Sequence, residues 1–437
     1  MTTEGTPWQP RAATPRRRGP VVGASATGPG LVRRRRRRWI RRTSLGLAVL
    51  LFGAAGAGWA AYEKLDSNIK ADNDAASELA RYEKERPAVL VPGAQNILII
   101  GSDSRSGAGN ARYGRDSGTE RSDTVILLHL AADRRSATAV SIPRDLMVNV
   151  PDCRRRDGSR SKPAFTMFNS AFATGGSACT IRTVEKVTDI RIDHHMVIGF
   201  DGFKKMVDAL DGVEVCLKQP IDDKAAKLRL PAGRVTLDGE QALGYVRARK
   251  SLGDGSDTDR MERQQRFLGA MAGKVRSDRV LLNPVKLYPV LDAATSSLTT
   301  DPALASLRGL YDLVRRLRNL PADRVQFLTA PRTPYPPDTD RDQLVQPAAG
   351  ELFARLRMDR PVAVTKEVPD DSAPHAPEKN GKASGNAGYG YGIDDGEQSS
   401  SDGKSAEKRS VDPVLPERSP EPPPTFRGNT AAQDACR

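Results

Sequence analysis

Between Asn96 and Ala330, apolar runs of six or seven residues alternate with amphipathic stretches, and most runs end in charge or at a turn. NILIIG, TVILLHL and ATAVSI read as buried strands, CTIRTVEKVTDI as an amphipathic helix, HMVIGF as a strand, FKKMVDAL as a helix and VEVCL as a further strand. A long helix is expected from about Thr258, with Met261, Leu268, Met271 and Val275 tracing one face. The segment from Leu281 to Ala330 is expected to complete the sheet through RVQFLTA. Such alternation predicts an α/β fold of the mixed α+β kind, a central and mostly mixed β-sheet flanked by helices.

The pattern breaks upstream. Thr43 to Tyr62 holds twenty residues without a charge, enough at ~1.5 Å per residue to cross the ~30 Å core of a bilayer. Trp39, Trp59 and Tyr62 stand near its ends, as interfacial aromatics do. Charge is distributed to match. Met1 to Arg42 carries twelve arginines and one acid, so this tail supplies +11 of the net +14. Arginines directly before an apolar 20-mer predict a single-pass signal-anchor in the cell membrane, with the N-terminus inside and the rest extracytoplasmic. A cleaved signal peptide fits less well, because 42 residues precede the apolar run. A nucleic-acid-binding tail would also explain the arginines, but there is no helix-turn-helix and no nucleic-acid partner is expected.

The expected division is a disordered Arg-rich tail over 1–42, a transmembrane helix over 43–62, a polar stalk over 63–87, a globular domain over 88–360 and a disordered Gly/Ser/Pro-rich tail over 361–437. Four cysteines in an exported chain are disulfide candidates. Cys153 and Cys179 flank a charged, Gly- and Ser-rich excursion that a bridge would close, whereas Cys216 in VEVCL reads as a buried thiol and Cys436 belongs to the tail. No CxxC, HExxH, GxSxG or GxxxxGK[ST] occurs, which leaves zinc, serine-hydrolase and P-loop chemistry without support.

What remains is charge at strand ends. Asp103, Arg105, Arg121, Asp123, Arg144 and Asp145 all sit at the ends of apolar runs, an arrangement suited to a divalent cation beside a polyanionic phosphate. Further arginines follow. Arg247 and Arg249 are two apart and would share a side on an extended strand, while Arg260 and Arg263 are three apart and would be neighbours on a helix. Guanidinium groups hold phosphate oxygens through paired bonds, so these could grip one pyrophosphate. The residues alone leave open that Asp103 and Asp123 merely pair with Arg105 and Arg121.

In order, NILIIGSDSR, RSDT, SIPRD, FNSAFATGG, ALGYVRAR and DRMERQQ resemble the LytR-CpsA-Psr family over about Asn96 to Lys274. The resemblance implies an outward-facing, membrane-anchored phosphotransferase that moves a glycopolymer phosphate from a polyprenyl-pyrophosphate carrier to a peptidoglycan acceptor, releasing polyprenyl phosphate. It implies Mg2+ or Mn2+ on Asp103 and Asp123, and pyrophosphate contacts from Arg105, Arg121, Arg144, Arg247, Arg249, Arg260, Arg263 and Gln264. Asp257 or Asp103 would be the base. Asp259 departs from the pattern, where relatives often have Gly, and a carboxylate there could pair with Arg260 and weaken that arm. A lipid channel is also implied, with FTMFNSAFA (Phe165, Phe168, Phe172) and FKKMVDAL (Phe203, Met206, Leu210) read as helices that could wall it, although such spacing is more often ordinary core. Two other classes compete: a catalytically silent lipid-pyrophosphate-binding protein and a membrane-tethered regulator.

Overall fold

The computed structural model describes residues 30–102, 122–224, 226–248, 257–277, 283–318, 320–365 and 424–432. The chain divides into two compact units, Met1–Ala61 and Tyr62–Arg437. Helix α1 (Gly30–Asn68) begins in the first unit and covers the expected span, and Trp39–Asn68 is long and apolar enough to cross a membrane. The helix begins at Gly30, so residues 30–42 of the expected disordered tail are helical instead.

The second unit is built on a nine-stranded mixed sheet among the described residues. Its first elements are β1 (Lys70–Ala71), α2 (Asn73–Arg81), β2 (Gln95–Ser102), β3 (Ser122–Leu130) and β4 (Ala137–Ile142), followed by a hairpin of β5 (Met147–Val150) and β6 (Ala164–Met167). Next come α3 (Ser170–Thr188), β7 (His194–Gly199), α4 (Phe200–Ala209), β8 (Val213–Leu217), β9 (Ile221–Asp223), β10 (Leu228–Leu230), β11 (Gly233–Leu237), α5 (Gly239–Arg247) and α6 (Asp257–Ser277). The chain continues through α7 (Pro284–Ser297), β12 (Leu298–Thr300), α8 (Leu307–Arg318), β13 (Val325–Thr329), the hairpin β14 (Arg332–Tyr335) and β15 (Asp338–Leu344), α9 (Ala348–Arg357), β16 (Ala363–Thr365) and β17 (Thr425–Thr430). The sheet order is β1-β12-β7-β2-β3-β4-β13-β17-β16.

Strand alternation explains why the central runs are apolar throughout. Leu98, Ile100, Leu127, Val140 and Leu328 face a core shared with α3 and α9, while Ile97, Leu130 and Ala137 face Leu310, Leu313 and Leu317 of α8. With both faces covered, no position on these strands is fully exposed, β4 is buried throughout, and the usual polar half of the pattern disappears. A smaller core lies apart, where Val207, Val213, Leu237, Tyr245 and Phe267 join α4, the β8–β11 pair, α5 and α6.

Several expectations are corrected. Residues 63–87 are not a stalk: β1 pairs in parallel with β12, and Ala75 and Leu79 of α2 enter the main core beside α3. Arg86 is bonded to Glu185 through two nitrogens, Nη2 to Oε1 at 2.8 Å and Nε to Oε1 at 3.1 Å, closing the connection into the domain. FTMFNSAFA is not one helix, for Ala164–Met167 forms β6 and the helix starts only at Ser170. Phe165 is therefore an exposed strand residue beside Tyr335, with ring centroids 6.0 Å apart, whereas Phe168 and Phe172 are core. Phe203 is partly buried and packs on Phe267 of the smaller core, and Leu210 is buried.

Cys153 and Cys179 are joined as expected. The bond passes over Gly175, where a Cβ would lie 2.9 Å from the Cβ of either cysteine and 2.8 Å from the Arg154 carbonyl oxygen. Cys216, by contrast, is not a thiol but disulfide-bonded; Cys436 lies outside the described residues. The expected disordered tail over 361–437 is also revised, since β16 and β17 are both strands of the central sheet.

Candidate active site

Register brings the charged strand ends together. Ser102 of β2 pairs with Ser122 of β3 and with Gly199 of β7, Val125 of β3 pairs with Ile142 of β4, and Thr329 of β13 pairs with Ser141. The carboxyl ends of β2, β4, β7 and β13 and the start of β3 thus share one end of the sheet. In sheets of this kind, ligands collect beyond the carboxyl ends because loops and helix termini meet there.

Asp123, the second residue of β3, accepts a bond at 2.8 Å from Arg144 Nη1, and Arg144 Nε donates to Asp145 Oδ2 at 3.2 Å. Arg144 is held between two carboxylates, which fixes the plane of its guanidinium. Asp145 also lies 3.9 Å from Arg341 of β15. Among the described residues Asp123 uses only Oδ1 for this pairing. Beside it, the Ser122 hydroxyl is fully buried and finds no hydrogen-bond partner among the described residues. Asp103, Arg105 and Arg121 lie outside the described residues, so the structure speaks for one of the two expected carboxylates.

Helix α5 opens with a reciprocal cap: Gln241 N–H donates to Asp238 Oδ1 at 2.8 Å, and Asp238 N–H donates to Gln241 Oε1 at 3.2 Å. Its last residue is Arg247, which corrects the expected strand placement. The Arg247 guanidinium stacks on Phe200, 4.8 Å from the ring centroid, immediately after β7 and so at the same end of the sheet. Arg249 lies outside the described residues.

Helix α6 is tied to these parts at several points. Arg263 Nη2 donates to the Ala248 carbonyl and Gln264 Nε2 to the Val246 carbonyl at 3.2 Å, which fixes α6 to the end of α5. Gln265 Nε2 donates to Ser141 Oγ and Thr329 Oγ1, both at 3.1 Å, anchoring the helix across β4 and β13. Arg260 and Arg263 are 4% and 5% exposed. Two guanidinium groups at that depth are costly unless surrounded by acceptors or anions. Asp257 opens the helix. Gln265 was not among the expected residues, yet the sequence held a sign of it: it lies four residues after Met261 and three before Leu268, a polar side chain on an apolar stripe.

The arrangement supplies fixed cations from three elements at one sheet end, together with a strand-end carboxylate. The LytR_cpsA_psr family model matches residues 63–354. The chain belongs to the LytR-CpsA-Psr family. Over 210 residues it is 39% identical to a probable cell wall biosynthesis protein, LcpB, of Corynebacterium glutamicum, covering 47% of each chain. It is 29% identical over 350 residues to the polyisoprenyl-teichoic acid–peptidoglycan teichoic acid transferase TagT of Bacillus subtilis, covering 78% of this chain and 96% of that one. The match thus spans about half the length of the Corynebacterium relative and nearly all of the Bacillus one. A crystal structure of a Streptococcus agalactiae protein shares the fold, with a TM-score of 0.51 at 22% identity over 61% of this chain and 88% of that one. Relatives in this family carry transferase and cell-wall biosynthesis names, and the chain shares with them the matched domain, preceded here by a helix long and apolar enough to cross a membrane. The start of the family match at residue 63 agrees with the folded role of the segment expected to be a stalk.

Proposed function

We propose that this LytR-CpsA-Psr domain, on the outer side of the membrane, transfers a glycopolymer phosphate from a polyprenyl-pyrophosphate carrier to peptidoglycan. The observation that carries the reading is the Arg144 guanidinium held between Asp123 and Asp145 at the sheet end where Arg247 and α6 also arrive. An acceptor hydroxyl attacks the glycan-side phosphorus, a new P–O bond forms, and the bond to the departing polyprenyl phosphate breaks. Negative charge grows on the leaving phosphate and on the equatorial oxygens. Arg144, Arg247, Arg260 and Arg263 meet that charge, and Arg249, Arg105 and Arg121 are assigned to the same clamp. Gln264 steadies α6 through its bond to Val246. The hydroxyl proton leaves to Asp257 or Asp103, or to the phosphate itself.

A hard divalent cation fits Asp123. Among the described residues there is no cluster of three or more metal-binding side chains, but Mg2+ commonly takes one or two carboxylates and completes its shell with water and substrate phosphate. Asp123 would hold it together with Asp103, and when bound Mg2+ or Mn2+ would offset charge on the pyrophosphate oxygens.

The test supplies the full-length chain with polyprenyl-pyrophosphoryl glycan and peptidoglycan. Polyprenyl phosphate should appear only with Mg2+ or Mn2+, and Asp123→Ala should lower the rate about a hundredfold or more, the scale of a lost charge-stabilising group. Full turnover in chelator, or in Asp123→Ala, would remove the metal role.

A further inference from the structure

The family match stops at residue 354, yet the two strands that complete the sheet edge lie beyond it. β17 pairs antiparallel with β13 through Gln326↔Thr430 and Leu328↔Gly428, and in parallel with β16 through Val364↔Phe426. Without it β13 would be an open edge and β16 would lose its strand partner. The fit is close. Phe426 is 6% exposed and belongs to the main core, while a Cβ at Gly428 would stand 2.3 Å from the Phe327 carbonyl oxygen, so only glycine lets the strand pass here.

The same segment touches the arginine-bearing helix. Arg427 Nη2 lies 3.0 Å from Glu262 Oε1, one residue before Arg263. Ala431 packs in an apolar cluster with Leu268 and Phe327, and its Cα is 3.7 Å from where a Cβ on Gly269 would be. α6 is thus anchored early by Arg263, Gln264 and Gln265, and from Leu268 onward it rests on β13 and β17. The Arg427–Glu262 pair is partly exposed and adds little stability, but it ties β17 to the turn of α6 that carries Arg263.

We propose that the C-terminal strand is a positioning element for transfer: by bracing α6 against the sheet, it sets where Arg260 and Arg263 stand relative to the pyrophosphate. This rests on the role given above to those arginines. Misplacement by about an ångström can cost on the order of a hundredfold in rate, so loosening one end of α6 should register in turnover rather than in folding alone.

The experiment compares full-length protein in lipid nanodiscs with a chain ending at residue 423, and with Arg427→Glu and Arg427→Lys. Turnover is measured well below each melting temperature, with kcat and KM separated, alongside amide exchange over residues 260–271. Truncation should lower kcat/KM about tenfold or more and speed exchange in α6. Arg427→Glu, which leaves the backbone pairing intact, should lose about threefold, and Arg427→Lys should recover to within about twofold of the parent. A truncated, folded chain with parental kcat/KM and unchanged α6 exchange overturns the proposal. Should truncation prevent folding, Arg427→Glu at parental kcat/KM overturns it instead. An inactive parent chain would refute the functional reading alone, because the exchange measurement still reports whether β17 braces α6.

Discussion

The two edges of the sheet are held by different physics. At the β1 edge the contacts are polar and short-range: Asp72 caps α2 through Ala75 N–H at 3.0 Å, accepts from the Ser177 hydroxyl and pairs with His195 Nε2 at 3.1 Å, while Asp301 bonds His194 and the His195 N–H. At the β17 edge backbone ladders and apolar packing around Phe426, Phe327 and Ala431 carry the attachment, and the polar Arg427–Glu262 contact is partly exposed. Buried polar networks are directional and depend on protonation, whereas apolar packing is indifferent to pH. The β1 edge should therefore yield to acid, and the β17 edge to lost volume.

Phe426→Ala should have the largest effect, about 3 kcal/mol or more, because it empties a buried aromatic site. Urea unfolding should report it, with amide exchange at residues 425–430 rising first. Asp72→Ala should cost about 2–3 kcal/mol by stranding the buried His195 ring and Ser177 hydroxyl, and its exchange signature should appear in α2 and β1 instead. Identical exchange patterns from the two variants would show that the edges are a single cooperative unit.

The smallest effect concerns pH. Burial pushes the Asp72 carboxyl up, but bonds from His195, Ser177 and Ala75 N–H outweigh it and hold the pKa down at about 2, against an ordinary 3.8. A group depressed on folding stabilises the fold above its unfolded value and loses that contribution as pH falls through the folded one. Between about pH 4 and pH 2 the fold should lose about 2 kcal/mol from this group. Asp72→Asn should flatten that part of the stability–pH curve. A curve of unchanged slope would contradict the assignment.

The contrast also explains what was legible beforehand. The central strands were readable because Ile97, Leu98, Ile100 and Leu127 are buried on both faces and leave an unbroken apolar signature. The β1 edge was not, since α2 contributes little more than Ala75 and Leu79 to the core and the rest of its attachment runs through charged groups such as Arg86 and Glu185. TFRGNT was equally opaque, a strand fixed by its neighbours' backbones with one buried aromatic. At the site, the place of Arg144 followed from charge at a strand end, and that of Arg260 and Arg263 from their spacing of three on an apolar-faced helix. Arg247 misled because alternation in RAR suggests a strand, although the Asp238–Gln241 cap and the run Ala242, Leu243, Tyr245 mark a helix that reaches it. Phe165, Phe168 and Phe172 likewise imitate helical spacing across a strand, a turn and a helix start.

Gly175 carries a lesson for reading related chains. Because the two sulfur-bearing side chains close over a position with no room for a methyl group, a pair of cysteines at these places is an incomplete signature. A relative that keeps both thiols but has any bulkier residue four places before the second would have to shift its backbone to close the bond, so glycine belongs in the search pattern beside the cysteines.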